Sequence, residues 1–140
     1  MQLGDYSNAA YQAQYGATTD VAFVVSKNTT STTNNRVYAV RLSDGAILWQ
    51  FNAAGASQMD GSVGGAWIDY GRNRLYIVTR AGAAGSQASL WSLDSLTGTL
   101  LGSLSLGHIT SAPMQSYYDD TTLYVGTSSG KLFRYALPLP

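Results

Sequence analysis

The chain has 140 residues, with eight Lys and Arg against eight Asp and Glu, so its formal net charge is zero at pH 7. This balance argues against the basic surface of a nucleic-acid-binding protein, and the absence of cysteine excludes disulfides, thiolate metal sites and cysteine nucleophiles. The sequence contains no apolar stretch near the ~20 residues of a membrane-spanning helix, so no transmembrane segment is predicted.

Short apolar runs predict β-strands along the whole chain. The runs are rich in β-branched and aromatic residues and alternate with clusters of Gly, Asn, Asp and Ser. None has the sustained 3.6-residue period of an amphipathic helix. In chain order, the clearest runs are residues 21–25, 37–40, 47–51, 75–78, 90–93, 123–125 and 132–135. The predicted fold class is therefore all-β.

Two segments share a pattern that predicts a β-hairpin. Residues 39–49 align without a gap on residues 92–102, and both carry a glycine after an Asp or Thr in the middle of the segment. We expect one strand to enter a turn there and a second strand to leave it. Gly45 and Gly98 permit a positive φ in the two turns.

A four-stranded unit repeats around these hairpins. Residues 62–79 align on 110–127 without gaps, and residues 7–25 align more loosely on 61–79. The predicted units are residues 6–54, 60–107 and 108–137, with residues 1–5 as the tail of a strand from a preceding unit. The third unit lacks its fourth strand, because prolines follow residue 137.

Residues 39–49 resemble the repeat of pyrroloquinoline-quinone (PQQ) type β-propellers, in which an Ala-x-Asp-x-x-Thr-Gly-x-x-x-Trp hairpin recurs in each blade. Arg41 stands where that repeat has Asp, and Gly102 stands where the second unit would have Trp. The resemblance implies propeller blades of four antiparallel strands. In that family the Trp packs between adjacent blades, which implies this role for Trp49.

Inter-blade packing is the role that we expect for a small set of aromatic and glycine residues, because an indole buries a large apolar area and needs one partner for its N–H. This set is Trp49, Trp91, Gly45 and Gly98.

The predicted blades are too few to close a ring. Typical propellers have four to eight blades of roughly 40–50 residues. The chain therefore supplies an incomplete ring, as a fragment of a larger propeller or as a subunit completed by other copies. A different all-β fold, such as a sandwich, is the remaining alternative.

Candidate chemical sites are weak. His108 is the one histidine of the chain, and the serines and acids near it lack a nucleophile motif. Residues 119–120 lack the spacing of a calcium loop, and the glycine-rich residues 82–85 lack a phosphate-loop sequence. We therefore predict no catalytic residue and no metal site.

Two polar loops are the candidate interaction surface. Residues 26–35 and 80–88 fall at the same position of successive units, so they project from one face. The polar residues in or beside these loops are Lys27, Asn28, Arg36 and Arg80.

The leading functional interpretation is a non-enzymatic scaffold or protein-interaction module of an extracellular, cell-surface or periplasmic protein. PQQ-like repeats of pilus-tip adhesins and outer-membrane assembly lipoproteins imply such roles. No cofactor is expected, and the partners are another protein, further blades of the same protein, or copies in a homo-oligomer. The first alternative is part of a PQQ-dependent quinoprotein dehydrogenase, which would need PQQ and calcium. The second is a self-assembling subunit that pairs through open strand edges.

Overall fold

The chain folds into short β-strands that form antiparallel sheets. The computed structural model describes residues 2–3, 9, 13–14, 20–26, 36–52, 66–69, 71–79, 89–106, 121–126 and 130–139. These residues form three sheets, and each predicted apolar run lies in a strand. The expected all-β class is confirmed. Three described residues between the first two strands, Ala9, Ala13 and Gln14, have helical backbone, which the sequence pattern does not predict.

Each sheet is a meander, in which strands that are adjacent in sequence pair antiparallel. Sheet 1 contains β1 (Gln2–Leu3), β2 (Val21–Val25), β3 (Val37–Arg41) and β4 (Ile47–Phe51). Sheet 2 contains β5 (Trp67–Asp69), β6 (Arg74–Thr79), β7 (Ser89–Asp94) and β8 (Leu100–Ser105). Sheet 3, in the described part of the chain, contains β9 (Thr122–Gly126) and β10 (Leu132–Ala136).

One backbone hydrogen bond recurs in all three sheets and fixes which residues are equivalent. The amide that follows β3, β7 or β10 donates to the carbonyl that precedes β2, β6 or β9. The three bonds are Leu42 N to Asp20 O (2.9 Å), Ser95 N to Asn73 O (2.8 Å) and Leu137 N to Thr121 O (2.9 Å). Leu42, Ser95 and Leu137 therefore occupy the same position of successive units.

The turns of the two complete hairpins have the same backbone conformation. Gly45 N donates to Arg41 O, and Gly98 N donates to Asp94 O, both at 2.8 Å. The φ angles of the two glycines are 74° and 73°, in the left-handed region that only glycine adopts at little cost. This is the conformation that the glycine in each segment predicts.

The strands on either side of the turns also match. The pairing shifts register after Ala39 in one hairpin and after Ser92 in the other, which marks a β-bulge at equivalent positions. Ala39 lies opposite Trp49, and Ser92 lies opposite Gly102. The two hairpin segments, which align without a gap in sequence, therefore also have equivalent positions in three dimensions.

The first strand differs from the sequence prediction. Residues 1–5 are expected to end a strand of a preceding unit, but Gln2 and Leu3 pair with β2. Their register places Leu3 where Ile68 lies in sheet 2. Residues 2–3 are therefore the first strand of sheet 1, so the first unit begins before residue 6. A run of two strand residues has too little alternation to show which sheet it joins.

The loose alignment of residues 7–25 is displaced by one residue in β2. Val21 pairs with Arg41, and Arg74 pairs with Asp94, so Val21 is equivalent to Arg74. The sequence alignment instead places Val25 on Thr79. A displacement of one residue exchanges the two faces of a strand, so the structural register decides which side chains face the neighbouring sheet.

Sheet 2 packs against another sheet on each of its two faces. Successive side chains of a strand point to opposite sides, so the strands of sheet 2 contribute to two apolar clusters. One apolar cluster joins sheet 1 to sheet 2, and its members from sheet 2 include Leu75, Ile77, Trp91 and Leu93. A second cluster joins sheet 2 to sheet 3, and its members from sheet 2 include Tyr76, Val78 and Leu90. The sheets therefore pack face to face in chain order.

Asp94 organises the turn between β7 and β8. Its Oδ1 accepts hydrogen bonds from Leu96 N (2.9 Å), Thr97 N (2.9 Å) and Thr97 Oγ1 (3.1 Å). Asp94→Ala removes all three acceptor contacts and leaves two amides of the turn to find water. We expect the free energy of unfolding to fall by about 1–2 kcal/mol, measured by urea denaturation.

The equivalent turn of sheet 1 provides the control. Asp44 accepts from Ala46 N and from Arg41 Nε, both at 3.0 Å, and these two bonds lower the pKa of its carboxyl group. This turn is exposed to solvent, where an ion pair contributes little. Asp44→Ala should therefore lose less stability than Asp94→Ala, and an equal or larger loss would contradict the role assigned to Asp94.

Candidate functional site

The indole of Trp49, from β4, lies over the β7–β8 turn of sheet 2. Its Nε1 donates to Ser95 O at 3.1 Å, and both groups are buried. A Cβ on Gly98 would lie 2.5 Å from Trp49 Cε3 and 2.7 Å from Cδ2, distances that real Cβ atoms do not show. The indole therefore rests directly on the glycine backbone. We call residues 95–98 the indole site.

Gly98 meets two separate requirements at the indole site. The turn needs a positive φ there, and the contact with Trp49 needs a residue without a Cβ. The sequence predicts the turn and a role in packing between blades for Gly98, but it does not identify Trp49 as the side chain that contacts it. The second requirement comes from Trp49, which lies 46 residues before Ser95, the first residue of the turn.

Aromatic side chains extend the contact between sheets 1 and 2. The ring centroids of Phe23 and Trp49 lie 5.8 Å apart, and those of Phe51 and Trp91 lie 6.1 Å apart. Tilted pairs at these separations are favourable beyond the area that they bury. Trp91 Nε1 donates to Thr79 Oγ1 at 2.6 Å, so this indole also has a hydrogen-bond partner inside the interface.

The turn of residues 42–45 in sheet 1 matches the indole site in backbone, but no side chain among the described residues lies over it. A Cβ on Gly45 would meet nothing within 4 Å. Leu42 is 48% exposed, and Ile47 beside the turn is 60% exposed. The packing of Gly45 between blades stays a prediction, because no described residue lies against it. We call residues 42–45 the open turn.

Solved structures share this arrangement of sheets. BamB from Moraxella catarrhalis is 24% identical, with a TM-score of 0.55 over 85% of this chain and 30% of that chain. A europium-containing methanol dehydrogenase is 18% identical, with a TM-score of 0.51 over 86% of this chain and 21% of that chain. Both are β-propellers. This chain has a β-propeller fold.

The propeller fold confirms the expectation that the PQQ-type resemblance raises. The chain spans less than a third of the length of either neighbour, so their whole-protein activities are not carried over. No family model and no curated protein matches the chain.

The predicted interaction loops lie almost entirely outside the described residues of the propeller. Lys27, Asn28 and Arg80 fall in undescribed segments, as do His108 and the residues 82–85 and 119–120 considered above. Arg36 is described, at the base of the first loop. Arg36 N donates to Ser26 Oγ at 2.9 Å, and Ser26 N donates to Arg36 O at 2.9 Å. These bonds close the base of the loop.

An ion pair between the buried Asp69 and the partly exposed Arg72, which the sequence pattern does not indicate, holds the β5–β6 turn of the propeller. Asp69 is fully buried and accepts from Arg72 N at 3.1 Å and from Arg72 Nη1 at 3.0 Å. Both carboxylate oxygens are thus used within the turn.

Among the described residues, no group of three His, Cys, Asp or Glu side chains is placed to hold a metal ion. No helix among them is long and apolar enough to cross a membrane.

The contact between sheets 2 and 3 includes polar groups close to the apolar cluster. Arg74 Nη1 donates to Leu139 O, which ties the segment after β10 back to sheet 2. Tyr76 is 1% exposed beside it, and this burial raises the pKa of its phenol above the ordinary value of 10. The neutral phenol is therefore favoured in the folded state.

The raised pKa of Tyr76 predicts a loss of stability at alkaline pH. The unfolded chain releases this proton at about pH 10 while the folded chain still holds it, so stability falls as pH rises from there through the folded pKa. Tyr76→Phe should flatten this decline, measured as the urea midpoint between about pH 8 and 11. A decline as steep as that of the unmodified chain would contradict the assignment. Tyr135→Phe is the comparison, because burial also raises the pKa of Tyr135, which is only partly buried.

Proposed function

We propose that this chain is a non-enzymatic β-propeller module that serves as a scaffold for protein–protein interaction in an exported or cell-surface protein. The observation that carries the proposal is the contrast between two equivalent turns. The indole site of sheet 2 is covered by Trp49, whereas the open turn of sheet 1 presents Leu42 and Ile47 to solvent. The turn of sheet 1 thus exposes apolar surface at the position where the equivalent turn of sheet 2 forms an interface. An exposed apolar surface of this kind is well suited to bind another protein.

The described carboxylates support a structural role. Asp69 is held by Arg72 within a turn, and Asp94 accepts from Leu96 and Thr97 within the indole site. These groups stabilise the turns that position one sheet against the next.

The exported location is part of the proposal. Its support is the sequence composition, which is low in charge and rich in Ser, Thr, Asn and Gly, together with the propeller fold. Fractionation of the source cells, with an antibody against the chain, is expected to find it outside the cytoplasm. Recovery only with cytoplasmic proteins would contradict this part.

The decisive test of the non-enzymatic role is a ligand titration. The europium-containing neighbour and the PQQ-type resemblance make PQQ with calcium or with europium the ligands to try. We expect no change in the melting temperature of the full chain. A ligand that binds only the folded state would raise stability by about 2.7 kcal/mol at a hundred times its dissociation constant.

Controls separate specific binding from metal effects. PQQ alone, calcium alone and europium alone should match the buffer, and a quinoprotein dehydrogenase measured in parallel should show the stabilisation. A saturable rise that needs both PQQ and the metal would favour the dehydrogenase alternative and would contradict the scaffold proposal.

A further inference from the structure

The outer edge of β10 in sheet 3 is not paired with any strand in the described part of the chain. Leu137 N donates to Thr121 O, so alternate residues, counted back from Leu137, bond to β9. The residues between them turn their backbone N–H and C=O groups to the other side of the strand. The edge is therefore a row of backbone donors and acceptors from Leu132, Arg134 and Ala136.

The equivalent backbone groups of sheets 1 and 2 hold a fourth strand. Arg41 and Asp94 occupy the position of Ala136, and their amides donate at 2.8 Å to Ala46 O and Thr99 O. From there β4 pairs antiparallel with β3, and β8 pairs antiparallel with β7. The edge of β10 thus corresponds to two edges on which this chain binds an antiparallel strand.

The residues that follow β10 do not form the turn that brings back a strand in the other two sheets. Pro140 stands at the position of Gly45 and Gly98, whose φ angles are 74° and 73°. A proline ring holds φ at about −65°, so this turn cannot form there. Arg74 Nη1 instead donates to Leu139 O, and Leu139 is buried in the cluster between sheets 2 and 3. The segment after β10 therefore runs towards sheet 2 rather than back along β10.

The side chains of this edge are apolar at one end and basic in the middle. Leu132 is 68% exposed, and Arg134 and the adjacent Lys131 are also exposed. Arg134 stands where sheets 1 and 2 have Ala39 and Ser92, which are small and buried. A strand that pairs with β10 meets a cation at this position, so an acidic residue is the favourable neighbour.

We propose that the outer edge of β10 binds an extended acidic segment of another protein as an added antiparallel strand. A carboxylate lies opposite Arg134, and an apolar residue lies opposite Leu132. The main-chain hydrogen bonds of the edge give the affinity, and the ion pair with Arg134 gives the selectivity. The inference rests on the proposed interaction role and names one surface and the chemistry of its partner.

A second copy of the chain suits this edge poorly. Two β10 strands that pair about a two-fold axis, in the register that joins all five residues, place one Arg134 opposite the other. The outer strands β4 and β8 contain no acidic residue. The described strands therefore offer no carboxylate to Arg134, and the partner is a different protein.

The test is a titration of the full chain with the blocked peptide acetyl-Val-Thr-Glu-Thr-Val-amide, followed by amide ¹H–¹⁵N NMR. We expect saturable shifts at the amides of Leu132, Arg134 and Ala136. The amides of Phe133 and Tyr135 should shift less, because they face β9. The Glu peptide should bind about two- to fivefold more tightly than the same peptide with Gln, and the Lys peptide more weakly than either.

Matched controls separate strand pairing from a simple ion pair. The formal net charge of the chain is zero, so overall attraction favours none of the three peptides. A peptide N-methylated at its Glu keeps the carboxylate but loses a main-chain donor, and it should not bind. Arg134→Glu changes an exposed residue, so the fold should persist and the Lys peptide should become the tighter ligand.

Three outcomes overturn the inference. They are the absence of saturable shifts at the three edge amides, equal affinity for the Glu and Lys peptides, and unchanged binding of the N-methylated peptide. Shifts at the edge that depend on protein concentration alone also overturn it, because a second copy would then be the partner. None of these results alters the outcome of the PQQ titration, so the two proposals can fail separately.

Discussion

Trp49→Ala is expected to lower the free energy of unfolding by about 3–5 kcal/mol, the usual cost of truncating a buried Trp. The indole packs against Phe23, donates to Ser95 O and covers Gly98, so its loss opens a cavity between sheets 1 and 2. The substitution also removes the hydrogen bond that Ser95 O accepts from the indole. Denaturation in urea, followed by circular dichroism, measures the change without relying on tryptophan fluorescence.

Two substitutions on β4 serve as controls for this loss. Trp49→Phe keeps most of the ring but removes the N–H donor, so an intermediate loss is expected. Ile47→Ala lies on the same strand at a residue that is 60% exposed, and its cost should stay within about 0.5 kcal/mol. If Trp49→Ala cost no more than Ile47→Ala, the indole would not hold the two sheets together.

Gly98→Ala is expected to cost about 2–5 kcal/mol. A positive φ costs an L-residue about 1–2 kcal/mol, and forcing a methyl group into a packed contact costs a further 1–3 kcal/mol. The added Cβ would lie within 2.7 Å of two atoms of the Trp49 ring, so the indole or the turn must move.

Gly45→Ala is the matched control for Gly98→Ala. Its φ is 74°, against 73° for Gly98, but its Cβ would meet nothing within 4 Å. It should therefore show only the backbone cost of about 1–2 kcal/mol. The difference between the two variants isolates the contact with Trp49, and equal losses would contradict that contact.

Local features of the fold could be predicted from the sequence, because they depend on neighbouring residues. The strands β2 and β4 coincide with predicted apolar runs, and the glycines at positions 45 and 98 signal their turns. The resemblance of residues 39–49 to a known repeat adds the propeller fold, which the structural neighbours support.

Features that depend on how sheets face each other could be predicted from the sequence only in part. The resemblance implies packing between blades for Trp49, and Gly98 is in the set expected to pack there, but neither hairpin shows that these two residues contact each other. For the same reason, identical local patterns give no sign that Gly98 is covered and Gly45 is open. The one-residue displacement in β2 has a related cause, because its run of apolar residues fits either register.

The central claim is that the indole of Trp49 binds sheet 2 through direct contact with Gly98, and a double-mutant cycle measures this contact. We predict that Gly98→Ala in the Trp49→Ala background costs only as much as Gly45→Ala, which gives a coupling free energy of about 1–3 kcal/mol between residues 49 and 98. Strictly additive losses would contradict the claim, because they would mean that the two residues do not touch.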